Sequence, residues 1–364
     1  MGEVMNASCP CCGAPLKYDG AKAKLGCDSC GNQFDVDLMQ QVDDAIAQGK
    51  AESVMEWTQN ETEWSAQEQA QMKAYNCPSC GAEIITDETT VATQCVYCGN
   101  PSILPGKLDS ATRPEKVIPF VKEKADAQAA FKELIKGKKL LPDGFLKHNR
   151  IEDITGVYVP FWTFDCQAQA KMVYRAEKVT HHTQGDYDVT TTTHYMALRD
   201  GSIGFDKIPV DGSTKFDDTL MEAIEPYRYD DLKDFTSAYL PGYQAEIHDV
   251  SMSVAKLRAD ERVTESVERE FADTVRGYTS VHVQSENINL QDGRAENVLL
   301  PVWMLNARWK DKVYAFAMNG QTGKFIGDLP IDKAKRWKWA GMYFGAAFIA
   351  LYGLTYVLCA MGVM

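Results

Sequence analysis

Apolar residues return at every fourth position through Leu38, Val42 and Ile46, between Asp37 and Gly49, which predicts an acidic helix within the stretch 37–74. Trp57 and Trp64 are the apolar exceptions in the polar remainder of that stretch, suited to dock on the next segment or to mark a partner surface. A second helix is expected over Lys124–Lys136, where Ala125, Ala129, Phe131 and Leu134 fall on or near one face, and a longer one over Val250–Val275. The strands carry an echo. Val157-Tyr158-Val159-Pro160-Phe161-Trp162-Thr163-Phe164 is repeated in kind, 141 residues later, by Val298-Leu299-Leu300-Pro301-Val302-Trp303-Met304-Leu305. Each follows a helix by a loop and leads to a second strand, Lys171–Tyr174 in one case and Val313–Met318 in the other. The pattern therefore predicts two related helix-plus-hairpin units, an internal duplication, forming one mixed α+β domain over 105–330. The prolines belong at strand edges or entrances.

The pattern changes at the end of the chain. From Trp339 to Met364 there is no charged side chain. As a helix that run is about 39 Å long, enough for a hydrocarbon core of about 30 Å, so 339–364 is expected to be a transmembrane helix. Lys333, Lys335, Arg336 and Lys338 form a basic juxtamembrane segment, 331–338, and nothing basic follows, which would hold the preceding chain in the cytoplasm. Trp337, Trp339 and Tyr343 would sit at headgroup level, and Gly341 and Gly345 would let two helices approach. The start, Met1 to Asn6, has neither a basic residue nor an apolar run, so no cleavable leader is expected, and Asn6 stands where myristoylation favours Ser or Thr. The expected chain is tail-anchored.

Charge narrows the chemistry. The 364 residues hold 38 basic and 51 acidic side chains, a formal net charge of -13. Residues 1–100 contain only Lys17, Lys22, Lys24, Lys50 and Lys73 against fifteen acids. Such a surface repels phosphate and argues against a general nucleic-acid binder.

Nine of the eleven cysteines lie in that same acidic hundred. Cys9 and Cys12 are followed by Cys27 and Cys30, and Cys77 and Cys80 by Cys95 and Cys98. Both sets read C-x2-C, fourteen residues, C-x2-C, with a glycine after every pair. Two thiolates on one tight turn meet two on another, the frame of a closed tetrahedral site. Two structural Zn2+ ions are therefore expected, one in a ribbon over 1–36 and one in a ribbon over 75–104, with iron or a redox role as the alternatives. Disulfides conflict with a cytoplasmic placement, and a redox pair would not be duplicated at fixed spacing. Cys11 has Ala14 where a partner would stand, and Cys166 and Cys359 are isolated, so burial as small apolar residues is expected for them. With Cys-Pro-x-Cys-Gly turns, the two segments resemble zinc ribbons of the TFIIB type and of small RNA polymerase subunits.

No catalytic or cofactor-binding residue is identified. Asn319-Gly320-Gln321-Thr322-Gly323-Lys324 lacks the spacing and the trailing Ser or Thr of a phosphate loop, and predicts a hairpin turn. Of the six histidines (His148, His181, His182, His194, His248, His282), three fall in a Thr-rich segment that predicts an exposed hairpin. No serine-hydrolase elbow, zinc-protease helix or kinase signature is present.

The four-cysteine motifs, Gly156–Trp162, Tyr239–Tyr243, Leu300–Trp303 and Asn319–Lys324 together resemble a bacterial family of membrane-anchored proteins containing TFIIB-type zinc ribbons. Its members are often labelled primosomal replication helicases, a label this sequence denies because no Walker loop is present. Some relatives are encoded beside flotillin-like (SPFH) and phage-shock-type proteins, which implies a role in recruiting them to the membrane; with the C-terminal span, the expected chain is a single-pass protein of the bacterial inner membrane, with a homo-oligomer also open. The leading expectation is a non-enzymatic membrane adaptor acting in membrane stress. The alternatives are a zinc-ribbon protein acting on nucleic acid or the transcription or replication machinery, and an enzyme whose site the α+β domain assembles.

Overall fold

A computed structural model describes residues 8–48, 56–60, 63–87, 95–101, 103–106, 113–145, 151–215, 218–310 and 312–360. The expectations for Met1–Asn6, Gly49, Lys50, His148, the Cys359 side chain and residues 361–364 lie outside the described residues. In chain order the strands and helices are β1 Leu16–Asp19, β2 Lys24–Cys27, β3 Gln33–Asp35, α1 Val36–Gln48, β4 Thr58–Gln59, α2 Ala66–Gln71, β5 Met72–Asn76 and β6 Glu83–Asp87. Then come β7 Leu104–Gly106, β8 Lys116–Val117, α3 Lys124–Ile135, β9 Thr155–Gln184, β10 Tyr187–Asp211, α4 Asp218–Ala223, β11 Lys233–Asp234 and β12 Gln244–Glu246. The last are α5 Met252–Asp273, β13 Ser280–Trp309, β14 Lys312–Asn319, β15 Phe325–Gly327 and α6 Lys333–Ala360. The chain divides into two units, one of residues 1–60, 162–210 and 251–296, the other of 61–161, 211–250 and 297–364.

In the first unit, β1, β2 and β3 form a small antiparallel sheet in that order. Beyond it, β9 and β10 form a long hairpin, and β4 lies parallel to β13. The helix α5 buries Ala255, Ala259, Val263, Val267 and Phe271, a four-residue repeat that explains why so charged a segment folds as a helix. On α1, Val42 and Ala45 pack against Val173 of β9, and the Ser285 hydroxyl donates to the Ala45 carbonyl at 3.0 Å. Trp57 is buried edge-on to Phe164, with ring centroids 4.8 Å apart, and its indole N–H donates to Asp260. It is a core residue of this unit.

In the second unit the strands follow the order β11-β8-β13-β9-β12-β6-β5-β7, with β14 and β15 continuing from β13. The sheet is mixed. β8 runs parallel to β13 and β12 parallel to β9, while β12–β6, β5–β6, β13–β14 and β14–β15 are antiparallel. The two echoed segments take matching places. β8 precedes α3 and β9 in the chain, and β12 precedes α5 and β13, yet β8 pairs with β13 at Val298 and Leu299 and β12 pairs with β9 at Val157 and Tyr158. Each long strand thus takes a short parallel neighbour from the other half of the sequence. Phe131 of α3 packs edge-on to Phe316 of β14, and Phe120 stacks on Tyr243 at 4.1 Å. Trp64 is buried against Phe235.

Three expectations are corrected. The segment Lys171–Tyr174 is not a second strand, because β9 runs unbroken through it. The fold class is corrected too, since the chain is largely β, with mixed sheets, in place of the expected mixed α+β domain with a transmembrane helix. The third concerns the C-terminal helix. Among the described residues, no helix is long and apolar enough to cross a membrane. The basic flank is engaged with protein as well: Lys335 donates to the Leu141 carbonyl at 2.8 Å and pairs with Asp143, and Lys139 lies over the Trp339 ring at 4.4 Å. The expected transmembrane helix 339–364, its juxtamembrane segment 331–338, the tail-anchored inner-membrane localisation and the lipid contact through α6 are withdrawn on that finding.

Candidate metal centres

All four cysteine turns share one backbone design. The amides of Gly13, Gly31, Gly81 and Gly99 donate to the carbonyls of Cys9, Cys27, Cys77 and Cys95 at 2.7–2.9 Å. The amides of those cysteines donate in turn to the carbonyls of Ala14, Asn32, Ala82 and Asn100. Each glycine has φ between +65° and +76°, the left-handed conformation that glycine adopts without a Cβ clash, which is why it closes every pair.

The turns meet in two pairs. The sulfurs of Cys9, Cys12, Cys27 and Cys30 lie within 4.8 Å of one another, as do those of Cys77, Cys80, Cys95 and Cys98. The closest approaches, Cys9 to Cys30, Cys12 to Cys27, Cys77 to Cys98 and Cys80 to Cys95, are 3.5–3.6 Å. Sulfurs at about 2.3 Å from a tetrahedral Zn2+ stand about 3.8 Å apart. These distances are far too long for disulfides and match that tetrahedron, so each cluster could hold one zinc ion. Electrostatics favours a cation. The Cys30 N–H, ahead of other backbone donors, lowers the Cys27 thiol to about 7. At Cys77, burial is outweighed by the N–H groups of Cys80 and Ser79, and the thiol again falls to about 7. Burial pushes Cys30 up to about 12 and raises Cys95, so a full set of four thiolates needs a bound cation.

Compared with known proteins, the chain is 36% identical over 348 residues to "Uncharacterized protein YdjG" of Bacillus subtilis (strain 168), spanning 96% of each chain. It belongs to the YdjG family. No family model matches the chain, and no solved structure does.

The two centres of this YdjG-family chain are set differently. The first has a small core of Leu16, Leu25 and Met39, against which Met196 of β10 packs, with Cys12 exposed and a fifth cysteine, Cys11, buried in the same core. In the second, Cys77 and Cys95 belong to the core that includes Val157, Phe161, Val298 and Val302. The turn Cys95–Cys98 is gripped by β13: Asn306 Nδ2 donates to the carbonyls of Val96 and, at 2.6 Å, Tyr97, while Arg308 donates to that of Cys98. Below the turn, the Tyr97 hydroxyl donates to the buried Glu246, which also accepts from Ser213. Sequence reasoning missed Asn306, Arg308 and Glu246, and nothing in their local pattern signals them. Asn306→Ala removes two bonds to buried carbonyls. It should cost about 1–3 kcal/mol in urea melts of zinc-loaded protein and speed zinc loss to a chelator from the second centre alone. Equal release kinetics in variant and wild type would refute the grip.

The other singled-out residues do not converge on chemistry. His181 and His182 are exposed on the β9–β10 hairpin, where His181 Nδ1 lies 2.9 Å from the Thr190 hydroxyl. His194 Nδ1 is 3.1 Å from Glu177 Oε1 without hydrogen-bond geometry, and its carbonyl accepts from Asn32 at 3.1 Å. Burial lowers the pKa of His248, and His282 is exposed. Cys166 is buried, and burial pushes its thiol up to about 12. Asn319 and Gln321 are buried. Asn319 Oδ1 accepts from the amides of Gln321 and Thr322, and Gln321 bonds both the amide and the carbonyl of Arg228. The Asn319–Lys324 turn is thus braced by the Asn319 side chain and closed by a backbone bond, Asn319 N–H to the Lys324 carbonyl at 2.9 Å.

Proposed function

We propose that the chain is a non-enzymatic adaptor, a protein-binding member of the TFIIB-type zinc-ribbon class whose two zinc ions are structural. The observation carrying this reading is that each cluster supplies four protein sulfurs. A tetrahedral zinc ion so held keeps no position for water or substrate, so the ions stiffen surfaces and do no chemistry. Cys9, Cys12, Cys27 and Cys30 are assigned as ligands of one ion, and Cys77, Cys80, Cys95 and Cys98 of the other. A nucleic-acid reading would use Lys17, Lys22 and Lys24, which border a concavity of about 380 Å3 on the first ribbon. Each, however, is paired with an acid: Asp28 at 2.5 Å, Asp19 at 3.9 Å and Asp35 at 3.4 Å. Counterion release from phosphate would be small.

The test is a photo-crosslinking side chain placed in living cells at exposed Tyr18 on the first ribbon and at exposed Leu104 beside the second. The adaptor reading expects the same protein to be cross-linked repeatedly and lost when Cys12 or Cys80 is replaced by Ser. Cross-links to nucleic acid alone, or to no protein, would overturn it.

A further inference from the structure

We infer that the first zinc centre is an oxidation site, at which a hydroperoxide attacks the exposed ligand Cys12, Cys27 closes a disulfide with it, and the ribbon gives up its metal. The inference rests on the two structural zinc ions of the adaptor reading and adds a regulation to it.

Accessibility singles out one sulfur of the eight. Bound zinc holds every ligand as a thiolate, so thiolate character does not separate them and exposure decides which is attacked. Cys9, Cys27, Cys77 and Cys95 are at most 3% exposed. Cys30, Cys80 and Cys98 are half-buried, and Cys12 alone among the ligands is exposed. In the second centre both half-buried sulfurs pack against the core of the second unit, and Arg308 holds the Cys98 carbonyl. A small neutral oxidant therefore meets the first centre at Cys12 and finds no equivalent opening in the second.

A resolving thiol stands ready. Cys27 Sγ lies 3.5 Å from Cys12 Sγ, across the two turns of the ribbon. In the first step the Cys12 thiolate attacks hydrogen peroxide, the O–O bond breaks, and a sulfenic acid forms as hydroxide leaves. In the second the Cys27 thiolate attacks the Cys12 sulfur, forming the S–S bond and expelling a second hydroxide. Two thiolates lose two electrons and one peroxide gains them, so no further reactant is needed. A disulfide of about 2.05 Å removes two of the four ligands at once, and the closed tetrahedral site is gone. Cys11, 1% exposed where the second centre has Ser79, is shielded from the oxidant and stays reduced.

The effect reaches beyond the ribbon. Met196 of β10 packs against the ribbon core, Val42 and Ala45 of α1 cover Val173 of β9, and Asn32, next to the Cys27–Cys30 turn, donates to the His194 carbonyl. Without its metal a small ribbon loses the framework that holds these contacts. Oxidation would thus uncover Val173 and Met196 on the long hairpin, and reduction with zinc would cover them again.

The experiment treats the full zinc-loaded chain with hydrogen peroxide, follows zinc release with a chromogenic chelator, and maps cysteine oxidation by differential alkylation and mass spectrometry. One of two ions should leave at least about tenfold faster than the other. Cys12–Cys27 should be the first disulfide, with Cys11 still open to alkylation once the chain is denatured. Cys12→His keeps a zinc ligand and removes the attacked sulfur, so it should hold two ions and lose the fast phase. The mapping in wild type stands whether or not that variant folds. Release of both ions at one rate, a first disulfide within Cys77–Cys98, or a fast phase that persists in zinc-loaded Cys12→His would overturn the inference and leave the two structural ions in place. Fewer than two ions before treatment would overturn the zinc reading and this inference with it.

Discussion

Cys80→Ser should carry one zinc ion per chain in place of two and should lose the cooperative unfolding transition of the second unit. The cause lies in packing. Cys77 and Cys95 share a core with Phe161, Val298 and Val302, and β6 of the ribbon continues the sheet through β12. Structural zinc in small ribbons is worth about 10–16 kcal/mol of apparent binding free energy at neutral pH, comparable to the entire stability of a domain. Cys12→Ser should also lose one ion, yet its damage should stay within the first unit, where the core of Leu16, Leu25 and Met39 is joined by Met196 of β10. A fragment of residues 1–104 should accordingly retain the first ion and not the second, since it lacks Asn306, Arg308 and β12. Elemental analysis of the purified variants, paired with calorimetric melts, decides the matter. Indistinguishable melts for the two cysteine variants would contradict the difference between the centres.

Glu246→Gln should flatten the pH dependence of stability. Glu246 is buried, and burial, reinforced by Asp211 and Asp249, outweighs the hydrogen bonds from Tyr97 and Ser213 and raises its pKa from 4.5 to about 8. Below about pH 4.5 the folded and unfolded chains both hold the proton. Between there and pH 8 only the folded chain holds it, so unfolding releases a proton and stability falls as pH rises. At about 1.4 kcal/mol per unit, the loss across this window is roughly 3–5 kcal/mol. Glutamine keeps one acceptor and one donor for the two hydroxyls without the charge, so the variant should match wild type near pH 5 and exceed it near pH 8.5. Urea melts at both values measure the effect, and parallel behaviour of variant and wild type would exclude it.

The metal clusters are legible in the sequence because their information is local: two cysteines and a glycine specify each turn, and fourteen residues suffice to fold one turn onto the next. The cores of the long strands are legible for a related reason. Residues 157–164 are buried throughout and read as one continuous apolar run. Beyond Phe164 the strand is hidden, because its inward positions include Ala168, Ala170 and Ala176, and alanine carries little strand signal. Trp57 and Trp64 could not be placed, since their partners Phe164 and Phe235 lie more than a hundred residues away. The grip on the second ribbon is likewise non-local, with Asn306 and Arg308 acting 210 residues from Val96 and Cys98. The membrane expectation followed from the absence of charge after Trp339. It gave Lys335 to the basic flank of a span, whereas the structure ties that residue to Leu141 and Asp143.

The crossed pairing of β8 with β13 and of β12 with β9 has a consequence for how the chain is made. Lys116 and Val298, partners in the parallel register, are synthesised 182 residues apart. As the polypeptide leaves the ribosome, β8 has, among the described residues, only β11 for company until Val298 and Leu299 emerge, and β9 waits for Gln244 and Ala245. Neither half of the sequence can finish its own sheet, so the second unit cannot assemble in installments. Its folding waits on late-arriving strands and is dominated by distant contacts, which makes it slow and leaves apolar edges uncovered meanwhile. Ribosome-stalled chains ending before residue 298 should therefore remain protease-sensitive throughout the second unit, and protection should arrive in one step once β13 is out.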